Sequence, residues 1–251
     1  MQHGRTKVII GNWKMNKSIA ETHIYVSGLG MASSTRSCQV GLAVPFTMIS
    51  AAAEAAKGTA ILIGGQNGSD HEEGAFTGEV SCFMLKDAGA SFVLIGHSER
   101  RQLFHEDNDL VNRKVKMALR ATIRPVICVG ETEEQHQSGH THSVLHTQLI
   151  ESLNGLTPDE VGASIIAYEP VWAIGTGKSA TPEIVEATHL HCRSIIAKEW
   201  GKDTADRVTI QYGGSVKPEN AETLLRLPNV DGLLVGGASL TVESFNKILS
   251  L

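Results

Sequence analysis

The residue types that acid–base and anion chemistry needs fall in a few short stretches. Glu169 follows the apolar run Ile165-Ile166-Ala167 and Tyr168, and Pro170 comes next. A carboxylate at the end of a buried strand is partly desolvated. That raises its pKa and suits it to act as a general base near neutrality. A salt-bridged rim glutamate is the plainer alternative. The segment after it, Pro170-Val171-Trp172-Ala173-Ile174-Gly175-Thr176-Gly177-Lys178, is apolar with two glycines. Connections are usually polar because they run through water. An apolar one that can pivot at its ends reads as a lid over something kept dry, or as a connection packed on a neighbour. The apolar flap beside Glu169 favours the base, while the lid and packing readings stay open.

His97 stands in Leu94-Ile95-Gly96-His97-Ser98-Glu99-Arg100-Arg101, at a strand end and the start of a helical turn. A helix N-terminus disfavours positive charge, so a neutral, donating imidazole is expected there; a satisfied structural histidine is the rival. In Gly11-Asn12-Trp13-Lys14, Lys14 is either an electrostatic clamp for an anion or a Schiff-base nucleophile. Asn12 and Glu99 as partners favour the clamp, and Glu99 reads as the lysine's ion-pair partner. Arg100 and Arg101 are expected to pair with Glu106 and Asp107. Tyr212-Gly213-Gly214-Ser215-Val216 and Val235-Gly236-Gly237-Ala238-Ser239 each bring backbone N–H groups free of side chains toward an oxyanion.

Two other chemistries fit poorly. Gly177-Lys178-Ser179 resembles the end of a P-loop, but the glycine that pattern requires is replaced by Trp172. His136, His140, His142 and His146 cluster in sequence, and the last two have helical spacing. A solvated helix face accounts for them better than zinc, so no metal is expected.

These groups need a scaffold. Apolar or β-branched runs occur at 7–10, 39–44, 60–63, 92–95, 125–129, 164–168, 208–211 and 232–235, mostly continuous instead of alternating, as in strands covered on both faces. Helical stretches lie between them, at 18–32, 49–57, 81–88, 109–122, 142–152, 181–200, 218–227 and 241–251. Ser18 and Glu21 have capping-box spacing, and Pro182 suits a first turn. Eight such units in 251 residues predict an α/β fold, a closed (β/α)8 barrel forming one domain over 1–251. Asn12, Lys14, His97, Glu99, Glu169, Ser215, Gly236 and Gly237 all follow strands, which in such a barrel puts them at one rim.

The chain is 41% apolar with a formal net charge of −5 and mixed charges, and it has no basic block for nucleic acid or an anionic membrane. No apolar stretch is long enough for a signal core or a membrane span. Four separated cysteines, Cys38, Cys82, Cys128 and Cys192, read as reduced thiols of a cytoplasmic protein. The polar loop at 65–79 is the length and character of an interfacial one.

Taken together the motifs resemble the triosephosphate isomerase family. The resemblance rests on Gly11-Asn12-Trp13-Lys14-Met15-Asn16, Gly74-Ala75-Phe76-Thr77-Gly78-Glu79, the stretch 96–101, the stretch 168–177, the stretch 212–216 and the stretch 231–240, in the family's order. It implies a homodimeric barrel interconverting dihydroxyacetone phosphate and glyceraldehyde 3-phosphate without a cofactor, in glycolysis and gluconeogenesis. Glu169 then resembles the base, His97 the electrophile, and Lys14 with Asn12 the electrostatic site. Gly175, Ser215, Gly236 and Gly237 resemble the phosphate grip, and Thr77 a contact to the partner subunit. A phosphosugar epimerase, whose metal-linked acid pair is missing, and a non-catalytic barrel are the rivals. Two stretches depart from the family: His105 stands where it usually has glycine, and the loop tip at 68–73 is this chain's own.

Overall fold

A computed structural model describes residues 5–30, 38–174 and 179–251. Eight parallel strands close a barrel in sequence order: β1 (Val8–Asn12), β2 (Gln39–Val44), β3 (Ile61–Gly65), β4 (Phe92–Ile95), β5 (Arg124–Val129), β6 (Ile165–Tyr168), β7 (Thr209–Tyr212) and β8 (Gly232–Val235). Closure comes from β1, which pairs with β2 on one side and β8 on the other.

The continuous apolar character of the strands has a direct structural cause. Successive side chains point to opposite faces, and both faces are covered. Val8, Ile10, Ala43, Phe92, Leu94, Val126, Cys128, Ile165, Ala167 and Leu234 fill the barrel interior. Ile9, Leu42, Val93, Ile127, Ile166 and Leu233 pack outward against the helices in a separate layer. Burying a side chain of this size is worth about 1.5–3 kcal/mol.

The strand boundaries shift in an informative way. Residues 64 and 65 carry no apolar signal, yet Gly64 and Gly65 belong to β3 and pair with β2 and β4. The ring of Phe92 occupies the space a side chain would take, since a Cβ on Gly64 would lie 2.5 Å from it. β1 runs two residues past its apolar run to Asn12, because Asn12 pairs with Ala43 and Trp13 N–H donates to Ala43 O at 3.1 Å.

The expected helices are present as Ile19–Gly30, Ile49–Ala55, Cys82–Asp87, Asn108–Arg120, Thr141–Ser152, Pro182–Trp200, Pro218–Leu225 and Val242–Leu249. The first carries the predicted cap: Glu21 accepts the Ser18 N–H at 2.7 Å and donates its own N–H to Ser18 Oγ at 3.3 Å. Residues 31 and 32 lie outside the described residues. Four further short helices are present: Ser98–Leu103, where a helical turn after His97 was expected, and Glu133–Gln137, Pro158–Ala163 and Lys202–Arg207, which are absent from the sequence reading. Each is too short to show an apolar period.

Candidate active site

The C-terminal strand ends open onto a cleft of about 380 Å³. Asn12, Lys14, His97, Glu169, Ile174, Ser215, Gly236 and Gly237 all line it. Residues from β1, β4, β6, β7 and β8 thus meet in one space, although the chain separates them widely.

Glu169 extends the β6 ladder by one bond, donating its N–H to Val129 O at 2.8 Å. This carries its side chain over the barrel mouth, where it is 2% exposed. The carboxylate accepts from two groups of one turn. His97 Nε2 lies 2.9 Å from Oε1, and the Ser98 N–H donates to Oε2 at 3.0 Å. Gly213 makes the close approach possible, because a Cβ there would sit 2.9 Å from Glu169 Cγ.

The charge state of Glu169 corrects the sequence expectation. Burial does act to raise its pKa, but the His97 imidazole, the Ser98 N–H and the Lys14 cation together hold the carboxyl below its ordinary range. The carboxylate is therefore ionised in this arrangement. His97 is drawn in two directions. Burial lowers its pKa, while the Glu169 carboxylate, with Glu99 adding to it, raises the ring above its usual value in this arrangement. Opposing a second proton is the N-cap bond. The Glu99 N–H donates to Nδ1 at 3.2 Å, which assigns the proton of a neutral ring to Nε2, facing Glu169. The neutral imidazole expected from sequence therefore depends on where the Glu169 carboxylate is.

Lys14 adopts a left-handed backbone with φ 51°, a conformation that costs an L-residue about 1–2 kcal/mol. Two side chains hold it there. Asn12 Oδ1 accepts the Lys14 N–H at 3.0 Å. Gln66 Nε2 donates to Lys14 O at 2.8 Å and to Ala43 O at 3.0 Å. The Lys14 ammonium is ion-paired to Glu99, the partnership expected from sequence. Arg100 pairs with Glu106 at 2.7 Å. Arg101, by contrast, binds Gly96 O, Cys128 O and Asn108 Oδ1, so the expected pairing with 106 and 107 holds for only one of the two arginines.

At the far end of the cleft, Ser215 follows β7 and a single helical turn, Gly237–Ser239, opens at Gly236. The first N–H groups of such a turn have no partner within it and are available to an anion. Of the expected lid, Pro170 to Ile174 are described; Val171–Ala173 form a helical turn and Ala173 is buried. Gly175, Thr176, Gly177 and Lys178 lie outside the described residues, and with them the anticipated Gly175 amide. Thr77 is exposed on the 65–79 loop, away from this cleft's lining.

Three residues near the site were not singled out from sequence. Gln66 is one. Lys217 is another, a second lysine lining the cleft beside Ser215. The third is Glu131, wholly buried just past β5, where it receives Tyr168 OH at 3.2 Å and Trp172 Nε1 at 2.8 Å. Its own backbone O accepts the Val171 N–H at 3.1 Å. The rim position of Glu131 was the available signal. Cys128 is a core thiol, pushed well up by burial and by the Glu169 carboxylate.

The family model described as triosephosphate isomerase matches residues 7–251. The chain belongs to the triosephosphate isomerase family. It is 49% identical over 246 residues to the triosephosphate isomerase of Protochlamydia amoebophila, covering 98% of this chain and 93% of that one. It is 45% identical to that of Fusobacterium nucleatum, covering 98% of both. The crystal structure of triosephosphate isomerase from Bartonella henselae superposes with a TM-score of 0.87 at 41% identity, covering 96% of this chain and 97% of that one. Both departures from the triosephosphate isomerase pattern are structured. His105 has φ 56°, the left-handed region a glycine would occupy freely. The loop tip is tied to helix Asn108–Arg120 by Asp70–Arg113 and Glu72–Arg120 ion pairs, each 2.8 Å.

Proposed function

We propose that this chain interconverts dihydroxyacetone phosphate and D-glyceraldehyde 3-phosphate without a cofactor, moving a proton between adjacent carbons through an enediolate. Glu169 is the base, His97 the donor to the carbonyl oxygen, and Lys14 the cation facing the developing oxyanion, with Asn12 holding it. The observation that carries this reading is the contact of Glu169 with His97 Nε2 at 2.9 Å, in a cleft that Lys14 shares.

The geometry gives the cycle a physical logic. In the resting site Glu169 is kept ionised by His97 and Ser98. As the carboxylate turns to a substrate carbon it gives up those partners. Its pKa rises in a space the lid keeps dry, so it becomes a stronger base as substrate is enclosed. His97 loses the carboxylate that favoured its cation, and the Glu99 N–H on Nδ1 keeps the ring neutral with its Nε2 proton directed at the carbonyl oxygen. Lys14 offsets the charge that appears on that oxygen. The backbone at Gly175, Ser215, Gly236 and Gly237 takes the phosphate. Exclusion of water by 170–178 also protects the enediolate from expelling phosphate.

The same reading makes 1–251 one domain and the active form a cytoplasmic homodimer. Its loop at 65–79 brings Thr77 toward Asn12 and Lys14 of a second copy. Support comes from Met15, Phe76 and Met84, which are 94%, 42% and 54% exposed, an apolar set that a partner would cover. No helix among the described residues is long and apolar enough to cross a membrane.

The test supplies dihydroxyacetone phosphate to the purified chain in the presence of a chelator. Glyceraldehyde 3-phosphate is followed through a coupled dehydrogenase. Turnover is expected; a folded preparation that produces none contradicts the proposal.

A further inference from the structure

The mechanism leaves one group at the lid base unused. His136, on helix Glu133–Gln137, stacks on the Trp172 indole with ring centroids 4.4 Å apart and planes 19° from parallel. Its Nδ1 lies 3.4 Å from Glu131 Oε1 and 3.3 Å from Thr141 Oγ1. That Glu131 oxygen is the same atom that receives Tyr168 OH and Trp172 Nε1. The residues on either flank of Glu169 are thus fastened to one buried carboxylate, and His136 closes over the outer face of the fastening.

We propose that His136 is a positioning residue: by stacking on Trp172 and pairing with Glu131 it fixes the base of the lid, and through it the alignment of Glu169. Three features carry this. The histidine side chain is only 34% exposed although its helix is a surface turn, so the ring is committed to the contact. Glu131 is fully buried and its Oε2 has no partner among the described residues, so Tyr168, Trp172 and His136 all gather on the single oxygen Oε1. The Trp172–Glu131 bond would otherwise face water. A flat ring laid over it lowers the local dielectric and strengthens it. Glu131 also fixes the backbone, through the Val171 N–H, so loosening the indole loosens the peptide that leads out of Glu169.

What the site asks of position 136 is a flat, nitrogen-bearing group that stacks on indole and faces a carboxylate. Arginine meets that description, because its guanidinium is planar, stacks on aromatic faces and pairs with carboxylates. Alanine meets none of it.

The proposal rests on the isomerase reading of the site. Its test compares the unaltered chain with His136→Ala and His136→Arg, each labelled with 5-fluorotryptophan. The chain has three tryptophans, and Trp172→Phe identifies the Trp172 fluorine resonance. In His136→Ala the Trp172 resonance is expected to shift and broaden. kcat should fall by about two- to ten-fold, the change a stacking contact of this kind can carry, with KM moving less than the parent's experimental spread. His136→Arg should restore both. A His136→Ala chain that keeps the parent's kcat and Trp172 resonance overturns the proposal, even if it melts earlier. So does a His136→Arg chain as impaired as His136→Ala. A parent with no turnover would overturn the isomerase reading instead, and the fluorine resonance would still report the clamp.

Discussion

Removing Gln66 should damage catalysis through a residue it touches only by the backbone. Lys14 is held at φ 51°, and the left-handed region costs a non-glycine residue about 1–2 kcal/mol. Gln66 donates to Lys14 O and Ala43 O, and two such bonds contribute about 1–3 kcal/mol net. Cost and restraint are of the same size. Gln66→Leu preserves approximate volume and deletes both donors, so the left-handed lysine is left about 1–2 kcal/mol above relaxed conformers. A loss of about 1–2 kcal/mol in transition-state stabilisation follows, or roughly 5- to 30-fold in kcat/KM. The coupled assay measures it, with a double-mutant cycle against Lys14→Met. If Gln66 works through Lys14, the second substitution adds little to the first. Full additivity, or a Gln66→Leu chain within two-fold of the parent, refutes the reasoning.

Other perturbations separate the remaining pieces of the account. Gly213→Ala places a Cβ 2.9 Å from Glu169 Cγ. It should lower kcat by at least about ten-fold while leaving phosphate-analogue affinity nearly intact, since misplacement by about 1 Å is costly to a base; steady-state kinetics and calorimetry read the two. His105→Gly relieves a left-handed, exposed histidine. It should stabilise the fold by about 0.5–1 kcal/mol, the strain relief less the entropy of glycine, seen as a higher urea midpoint at unchanged slope. The His97–Glu169 contact predicts a pH window. The stabilising share of Glu169, whose native pKa is depressed, is complete above the ordinary carboxylate value of about 4.3 and is lost as pH falls through its lower native value. That of His97, whose native pKa is raised, is complete below about 6.5 and is lost as pH rises through its higher native value. The melting-temperature gap between the parent and His97→Gln should be widest between those values and narrow on both sides.

The barrel was legible because strands covered on both faces must be apolar at consecutive positions, and β2, β5 and β8 are. It was less legible at β3, where Gly64 joins the sheet to make room for Phe92 from the neighbouring strand. No local pattern encodes that accommodation. The candidate site was readable as a set of polar residues at strand ends, and the cleft does gather Asn12, Lys14, His97, Glu169 and Ser215. Their charge states were not readable. The expectation of a raised Glu169 counted only burial, because its compensating partners, His97 and the Ser98 N–H, reach it through barrel closure and not through sequence proximity. Glu131 and Gln66 went unremarked for a related reason. Each acts on backbone or on a neighbour's ring, and neither carries a distinctive motif.

In the proposed mechanism Glu169 moves the proton. Glu169→Gln keeps the shape and the acceptor oxygen while removing the basicity. The decisive measurement is its kcat in the coupled assay beside its affinity for a triose-phosphate analogue. A fall of at least about 10³-fold in kcat is expected, the upper range for loss of a general base, with analogue binding largely preserved. A Glu169→Gln chain that turns over substrate at the parent's rate would contradict it.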